Sequence, residues 1–175
     1  MLSVKDSLVL MIDIQERLVS ALDKDIVVSK AQKIIEGAEL LDVPILVTEQ
    51  YRKGLGNTVM PLNSTVQVVE KTCFNALLED GMLKKIKAYG KKQIVIFGIE
   101  THICVYQTAC ALIDAGFEVY VVKDACASRS KYEFKMGIDA MQAKGAKISC
   151  VEMLLFEWLQ DAKHPKFKEI QALIK

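Results

Sequence analysis

Apolar and polar positions follow one another along the chain in blocks that predict six β-strands separated by helices. Mostly apolar runs of strand length cover residues 7–14, 43–48, 66–70, 94–97, 117–122 and 147–151. Segments with apolar residues at every third or fourth position, the period of an amphipathic helix, cover residues 26–41, 82–89, 103–116, 132–144, 152–159 and 165–174. Strands that alternate with helices form right-handed crossovers. The pattern therefore predicts an α/β fold with three α-β-α layers and a mainly parallel six-stranded sheet.

One polar segment, residues 49–65, is too long for a simple connection. It follows the second predicted strand and contains glycines. A loop of this length in a compact domain is usually functional or mobile. We therefore expect it to form one wall of a ligand site.

Length, charge and cysteine content narrow the class of protein. The chain has 175 residues, 51% of them hydrophobic, so we expect a single domain over residues 1–175. Its 23 Lys and Arg and 22 Asp and Glu residues nearly cancel, so we expect neither nucleic acid nor a membrane as a partner. The five cysteines form no CxxC pair, and the first apolar run is too short for a signal peptide. A soluble, cytoplasmic protein with reduced thiols is expected.

Three reactive side chains stand at the ends of predicted strands. Asp13 closes the first strand, Lys71 follows the third, and Cys104 lies where a helix begins after the fourth. In a parallel sheet the carboxyl ends of the strands meet at one edge, where ligands bind. Each residue alone has a structural explanation, as a helix cap, a surface charge or a small buried hydrophobe. Their coincidence at one edge favours a catalytic site.

The position of Cys104 predicts a reactive thiol. Free backbone N–H groups and the helix dipole at a helix start lower the pKa of a thiol, so Cys104 is a candidate nucleophile. An acid such as Asp13 can take the thiol proton and return it to a leaving amine. The ammonium group of Lys71 can stabilise the negative charge.

Four segments carry a resemblance to a known family. They are LVLMIDIQ at residues 8–15, TEQYRKGLGNT at 48–58, VEKTCFNAL at 69–77 and GIETHICVYQTACALIDAGFEVYVVKDACASR at 98–129. They resemble signature regions of the isochorismatase-like cysteine hydrolases, which include nicotinamidases and carbamoylsarcosine amidohydrolases. The chain is most similar to the small isochorismatase domain-containing proteins, from about residue 7 to residue 150. The resemblance implies a Rossmann-like sheet.

The same resemblance implies a site and a reaction. It implies a catalytic triad of Asp13, Lys71 and Cys104, the residues that the strand ends also select. It implies a cis peptide bond between Ile99 and Glu100, which directs the backbone N–H groups of Glu100 and Cys104 at an oxyanion. The implied reaction is hydrolysis of a small amide or related C–N bond through a covalent thioester. Homo-oligomers are also implied.

Departures from the family pattern limit the chemistry. Nicotinamidases carry a metal site on an Asp-x-His pattern after strand two, whereas this chain has Thr48, Glu49 and Gln50 there and only two histidines. We therefore expect no metal and no cofactor, and nicotinamide is disfavoured as the substrate. Relatives that hydrolyse isochorismate lack the cysteine, so Cys104 argues against a vinyl ether substrate.

Gln15, Tyr51 and Phe74 are candidate substrate-binding residues. Gln15 is placed two residues after Asp13, where it can hydrogen-bond the acid or the substrate. Tyr51 can line the pocket or anchor the long loop, and Phe74 can line the pocket or belong to the core.

His102 invites interpretation as a partner of Cys104. Residues two apart on a helix point in different directions, so we expect His102 to be a cap, interface or core residue instead. Contact between His102 and the substrate is the less favoured interpretation.

Two functions of different classes remain open. The leading hypothesis is a cysteine hydrolase that acts on a small-molecule substrate. The alternative is a catalytically weak oligomeric scaffold or regulatory protein that keeps the fold. A nucleotide-dependent oxidoreductase would need a GxGxxG fingerprint, and a nuclease would need a basic patch or a metal cluster; the sequence shows neither.

Overall fold

A computed structural model describes the backbone of residues 1–22 and 24–175 and the side chains of residues 1–22 and 26–175. The strands are β1 (Ser7–Ile12), β2 (Ile45–Gln50), β3 (Gln67–Lys71), β4 (Gln93–Ile99), β5 (Glu118–Ala127) and β6 (Lys147–Ser149). The helices are α1 (Glu16–Ser20), α2 (Lys24–Leu40), α3 (Arg52–Leu55), α4 (Met82–Ala88), α5 (Tyr106–Asp114), α6 (Lys131–Lys144), α7 (Val151–Leu159) and α8 (Phe167–Ile174).

The six strands form one sheet in the order β3-β2-β1-β4-β5-β6, and every neighbouring pair is parallel. Two sets of helices cover it. Helices α2, α7 and α8 contact one another, and α5 packs against α6. All residues of β1 and β4 are buried, because central parallel strands are covered on both faces. The predicted three-layer α/β fold is confirmed.

The order of the strands places a switch point between β1 and β4. From β1 the chain builds β2 and β3 on one side, and it then crosses to β4, β5 and β6 on the other. The connections after β1 and β4 therefore leave the sheet in opposite directions and open a crevice at the carboxyl ends of these strands.

Gly98 lies inside a strand, although the apolar run predicts a strand end there. The structure continues β4 to Ile99. Gly98 has a φ of 134°, and a Cβ atom on it would lie 2.0 Å from the carbonyl oxygen of Ile12. This glycine therefore reflects the close approach of β1 rather than the end of β4.

β5 is longer than the sequence predicts. It continues to Ala127 instead of ending near residue 122. Its register against β4 shifts between Ile96 and Gly98, and the irregular part contains Lys123 and Asp124. These two polar residues are typical of a loop, which explains the wrong boundary.

Local structure at three other places differs from the prediction. The pattern does not predict α1 or α3. The segment predicted as a loop over 49–65 begins inside β2 and contains α3. The helix predicted from Ile103 starts with a π-helical turn, Thr101–Val105, before α5 begins. Cys104 therefore lies in the π-helical turn and not in the first turn of an α-helix.

Helix α7 has one buried and one exposed apolar face. Trp158 is buried, and its indole N–H donates to Ser7 Oγ at 3.0 Å. Met153 and Phe156 are 52% and 39% exposed. Within residues 1–22 and 24–175, no helix has both the length and the apolar character needed to cross a membrane.

Candidate active site

A buried ion pair between Asp13 and Lys71 lies at the carboxyl edge of the sheet. Lys71 Nζ is 2.7 Å from Asp13 Oδ2, and neither side chain has exposed surface. Asp13 directly follows β1, whereas Lys71 is the last residue of β3, so the lysine side chain crosses the end of β2. Buried charges are tolerated when they are paired and hydrogen-bonded. The acid and the cation chosen from the sequence are thus in contact.

Three acceptors surround the ammonium group of Lys71. Besides Asp13, Lys71 Nζ donates to Gln50 Oε1 at 2.6 Å and to the backbone oxygen of Cys73 at 3.2 Å. An ammonium group has three N–H donors. All three are used inside the protein, so Lys71 has no donor left for a substrate.

Thr48 fixes the other side of the carboxylate of Asp13. The hydroxyl of Thr48 donates to Asp13 Oδ1 at 2.7 Å, and the backbone N–H of Asp13 donates to the carbonyl of Thr48 at 3.1 Å. Thr48 is completely buried. Both carboxylate oxygens therefore have a donor, and the orientation of the carboxylate is fixed.

Cys104 is 6% exposed. Burial raises the pKa of the Cys104 thiol to about 12; the charge of Asp13 adds to the rise, and Lys71 opposes it. The predicted lowering of this pKa is therefore wrong, because loss of hydration by the thiolate outweighs the effect of a helix start. Cys104 therefore keeps its proton at neutral pH. The carboxylate of Asp13 and the ammonium group of Lys71 both affect the pKa of its thiol.

The turn after β4 carries the predicted cis peptide bond, between Ile99 and Glu100. The carboxylate of Glu100 accepts from the backbone N–H of Arg129 at 3.1 Å and forms an ion pair with its Nε. This contact ties the turn to the segment after β5. The side chain of Glu100 is thus anchored on a neighbouring segment.

His102 has its hydrogen-bond partner on the connection between β5 and α6. His102 Nδ1 is 3.0 Å from Ser128 Oγ and 3.9 Å from the carboxylate of Glu100. A Cβ atom on Gly137 of α6 would lie 2.8 Å from His102 Cα, so the helix packs closely on this turn. These contacts fit the expected structural role of His102.

Gln15 is fully buried and supports the long loop. Its Nε2 donates to the backbone oxygens of Gln50 at 3.0 Å and Gly56 at 2.7 Å, and its Oε1 accepts from the N–H of Gln50 at 2.7 Å. The amide group is committed to the backbone on both sides of α3. These hydrogen bonds hold the loop in place.

Glu49 anchors the same loop from its other end. It accepts hydrogen bonds of 2.7 Å from both the N–H and the hydroxyl of Thr58, and it pairs with Arg52. Burial opposes ionisation of Glu49, but the bonds from Thr58 and Arg52 hold its pKa below the ordinary value. The predicted long loop is therefore fastened to the end of β2.

Tyr51 and Phe74 lie on the surface near this edge. Tyr51 is 52% exposed with a φ of 36°, and its ring covers Gly54, where an added Cβ atom would lie 2.4 Å from Tyr51 Cδ1. Phe74 is 55% exposed, so its interpretation as a core residue is wrong. Phe74 remains a candidate contact for a ligand, and Tyr51 also anchors the loop.

The sequence-based reasoning missed Thr48 and Gln50 as site residues. They stand two apart at the polar end of β2, which reads Thr-Glu-Gln after the apolar Ile-Leu-Val, so they share one face of the strand. Two polar side chains on one face of a buried strand were a usable signal.

No group of three or more His, Cys, Asp or Glu side chains is placed to hold a metal ion in the part of the chain that the structure describes.

Comparisons with known proteins identify the family of the chain. The model of the isochorismatase domain family matches residues 7–153. The chain belongs to the isochorismatase domain family. This isochorismatase-domain chain is 40% identical over 151 residues to isochorismatase domain-containing protein 1 of Salmo salar, a match that covers 85% of this chain and 53% of that protein. The chain thus spans about half the length of that relative.

Two further relatives cover more of the isochorismatase-domain chain. Isochorismatase domain-containing protein 2 of Bos taurus is 37% identical over 171 residues, with 97% of this chain and 83% of that protein covered. A solved structure described as the MAR1 ribonuclease of Caenorhabditis elegans superposes with a TM-score of 0.92 at 31% identity. That superposition covers 99% of this chain and 91% of the other.

Proposed function

We propose that this isochorismatase-domain chain is a cysteine hydrolase that cleaves a small amide or a related C–N bond, with Cys104 as the nucleophile. The strongest support is the buried ion pair of Asp13 and Lys71, because the charges of both residues affect the pKa of the Cys104 thiol. A thiol with a pKa of about 12 needs a base beside it to attack at neutral pH. Asp13 is placed to be that base.

In the proposed first step, Asp13 takes the proton of Cys104 while Sγ bonds to the carbonyl carbon. The electron pair of the C=O bond moves to oxygen, and the backbone N–H groups of Glu100 and Cys104 stabilise the oxyanion. The C=O bond then re-forms, the C–N bond breaks, and Asp13 gives its proton to the leaving nitrogen. Ammonia or an amine departs, and a thioester remains on Cys104.

In the second step a water molecule attacks the thioester. Asp13 takes a proton from the water as the C–O bond forms, and the C–S bond breaks when the intermediate collapses. The sulfur receives the proton, and a carboxylic acid leaves. The ammonium group of Lys71 balances the charge of Asp13, and its N–H groups donate to acceptors within the protein. One amide and one water are consumed in each cycle.

The direct experiment is a screen for ammonia release from small primary amides and ureides. We expect Cys104→Ala to abolish turnover and Cys126→Ala, a change at another buried cysteine, to keep it. Rapid acid quenching should leave an acyl group on the peptide that contains Cys104, detected by mass spectrometry. Full activity of Cys104→Ala would falsify the nucleophile assignment.

The same screen includes RNA, because the Caenorhabditis elegans structure is described as a ribonuclease. RNA cleavage without ammonia release from any amide would replace the proposed substrate class. Absence of turnover on every substrate would favour the oligomeric scaffold.

We also propose that the chain forms homo-oligomers. Met1, Met153 and Phe156 are exposed apolar side chains that line one surface depression beside α7. Contact with another copy would remove this apolar surface from water.

A further inference from the structure

We propose that Thr48 and Gln50 of β2 are positioning residues that hold the Asp13–Lys71 pair in the geometry needed for catalysis; the catalytic part rests on the hydrolase function proposed above. The strand order places β2 between the strands that precede Asp13 and carry Lys71. Adjacent strands lie about 4.8 Å apart, so the pair is joined across about 10 Å of sheet. Side chains from the intervening strand are needed to fix such a bridge.

Thr48 and Gln50 can fix the bridge because each lies beside one of the two neighbouring strands. Thr48 is in register with Ile12 of β1, next to Asp13, and Gln50 is in register with Lys71 of β3. Being two residues apart, they point to the same face of β2. Thr48 donates to Asp13 Oδ1 at 2.7 Å, and Gln50 accepts from Lys71 Nζ at 2.6 Å.

The amide of Gln50 is itself held in one orientation. Its Nε2 donates to the backbone oxygen of Thr72 at 2.7 Å, so its Oε1 faces Lys71. Gln15 binds the backbone N–H and C=O of Gln50. Gln50 is therefore a rigid and neutral acceptor, which holds the ammonium group without placing a second negative charge beside Asp13.

The titratable groups that act on one another here are Asp13, Lys71 and Cys104. Other carboxylates on the packed elements have partners of their own. Glu49 pairs with Arg52, and Glu100 pairs with Arg129. Glu70 accepts from the backbone N–H of Arg52, and Glu79 accepts from the backbone N–H of Thr72. A change in pH dependence after substitution of Thr48 or Gln50 is thus assigned to the three central groups.

The first test places a second carboxylate against Lys71 with Gln50→Glu. The added negative charge disfavours the thiolate, so iodoacetamide should alkylate Cys104 about tenfold more slowly than in the wild type at about pH 9. Gln67→Glu makes the same change at an exposed position of β3 and should leave the rate unchanged. Equal rates for Gln50→Glu and the wild type would overturn the role of Gln50.

The second test compares Thr48→Val with Thr48→Ser. Valine keeps the shape but removes the hydroxyl, so kcat/KM should fall about tenfold or more. Loss of a donor to Asp13 favours its protonated form, so activity should also be lost at a higher pH on the acid side. Serine keeps the hydroxyl and should restore both properties. An unchanged acid limb in a folded Thr48→Val protein contradicts the proposal.

The two tests separate this inference from the proposed function. Alkylation of Cys104 needs no substrate, so it gives a result even if no amide is hydrolysed. A slowed alkylation in Gln50→Glu without turnover of any amide would retain the positioning role and reject the hydrolase. If Gln50→Glu does not fold, Gln50→Met, which removes the acceptor without adding charge, should still change the alkylation rate. An unchanged rate for Gln50→Met would then overturn the role of Gln50.

Discussion

Lys71 has the most demanding environment of any single residue in the site. Its ammonium group loses its hydration completely and needs three acceptors, which come from the end of β1, from β2 and from the backbone of Cys73. The position of Lys71 at a strand end can be read from the sequence. Its burial cannot, because the acceptors lie 58, 21 and 2 residues away along the chain.

The two buried thiols make the protein sensitive to alkaline pH. Burial raises the pKa values of Cys104 and Cys126 to about 12 from 9.0. The unfolded chain releases these protons first, so the stabilisation is complete below pH 9 and is lost as the pH rises towards 12. The free energy of unfolding should fall by up to about 1.4 kcal/mol per pH unit for each thiol.

Urea unfolding of the wild type and of Cys126→Ala between about pH 8 and about pH 11 measures this effect. The variant lacks one of the two titrations, so its stability should decline less steeply. Identical slopes for the two proteins would show that the thiol of Cys126 does not keep its proton in the folded state.

The acidity of Cys104 shows where reasoning from position reaches its limit. A place after a strand and before a helix correctly puts Cys104 at the carboxyl edge of the sheet, where Asp13 and Lys71 act on its thiol. The pKa depends also on how completely neighbouring elements exclude water, and α6 packs closely on the turn that carries this thiol. Such packing joins segments distant in sequence, and no local pattern reveals it.

At the scale of elements, the close contact of Gly98 with β1 predicts that position 98 does not tolerate a larger residue. Gly98→Ala would place Cβ 2.0 Å from the carbonyl oxygen of Ile12 at a φ of 134°. We expect a loss of several kcal/mol or failure to fold. Gly90→Ala is the matched control, because Gly90 also has a positive φ, 66°, but open space around it. Its cost should be about 1 kcal/mol.

Urea unfolding compares the two alanine variants. Similar stabilities would mean that backbone conformation alone, and not the approach of β1, requires glycine at position 98.

The existence of the six strands was predictable, whereas several of their boundaries were not. Continuous apolar runs identify buried parallel strands because both faces are covered. The continuation of β5 past Val122 depends on an irregular register against β4, in which Gly98 pairs with Cys126 and Ile99 pairs with Ala127. A polar pair such as Lys123 and Asp124 gives no sign of it.

At the scale of the whole molecule, strand order is the property that sequence reasoning leaves open. Alternating strands and helices predict parallel pairing, but they do not say which strands are neighbours. The order determines that β2 separates the two charged partners, and it therefore determines that Thr48 and Gln50 belong to the site.

The exposed apolar side chains beside α7 predict association of the whole molecule. We expect sedimentation to give a mass that is a multiple of one chain and that persists on dilution. Phe156→Glu should lower that mass, because a charge is costly in an apolar contact. Phe74→Glu, at an exposed aromatic residue near the active site, is a control of the same chemistry. A mass of one chain at all concentrations would remove the proposed oligomer.

The buried ion pair also predicts that removing one of its two charges destabilises the protein more than removing both. Replacing only Asp13 or only Lys71 leaves an unpaired buried charge, at a cost of about 3–5 kcal/mol. Asp13→Asn combined with Lys71→Met should be more stable than either single variant. A double-mutant cycle by urea unfolding measures the difference. Additive effects would indicate that the two charges do not depend on each other.

If the proposed catalysis is real, this difference in cost limits which residue a descendant of the chain could lose first. Loss of the acid or the lysine alone would threaten the fold, whereas loss of the sulfur of Cys104 removes one small side chain and leaves no orphaned charge. A descendant with a purely structural role would therefore lose the thiol first and keep the charged pair. For the cysteine-hydrolase function proposed above, Cys104 would therefore be a better marker than the charged pair.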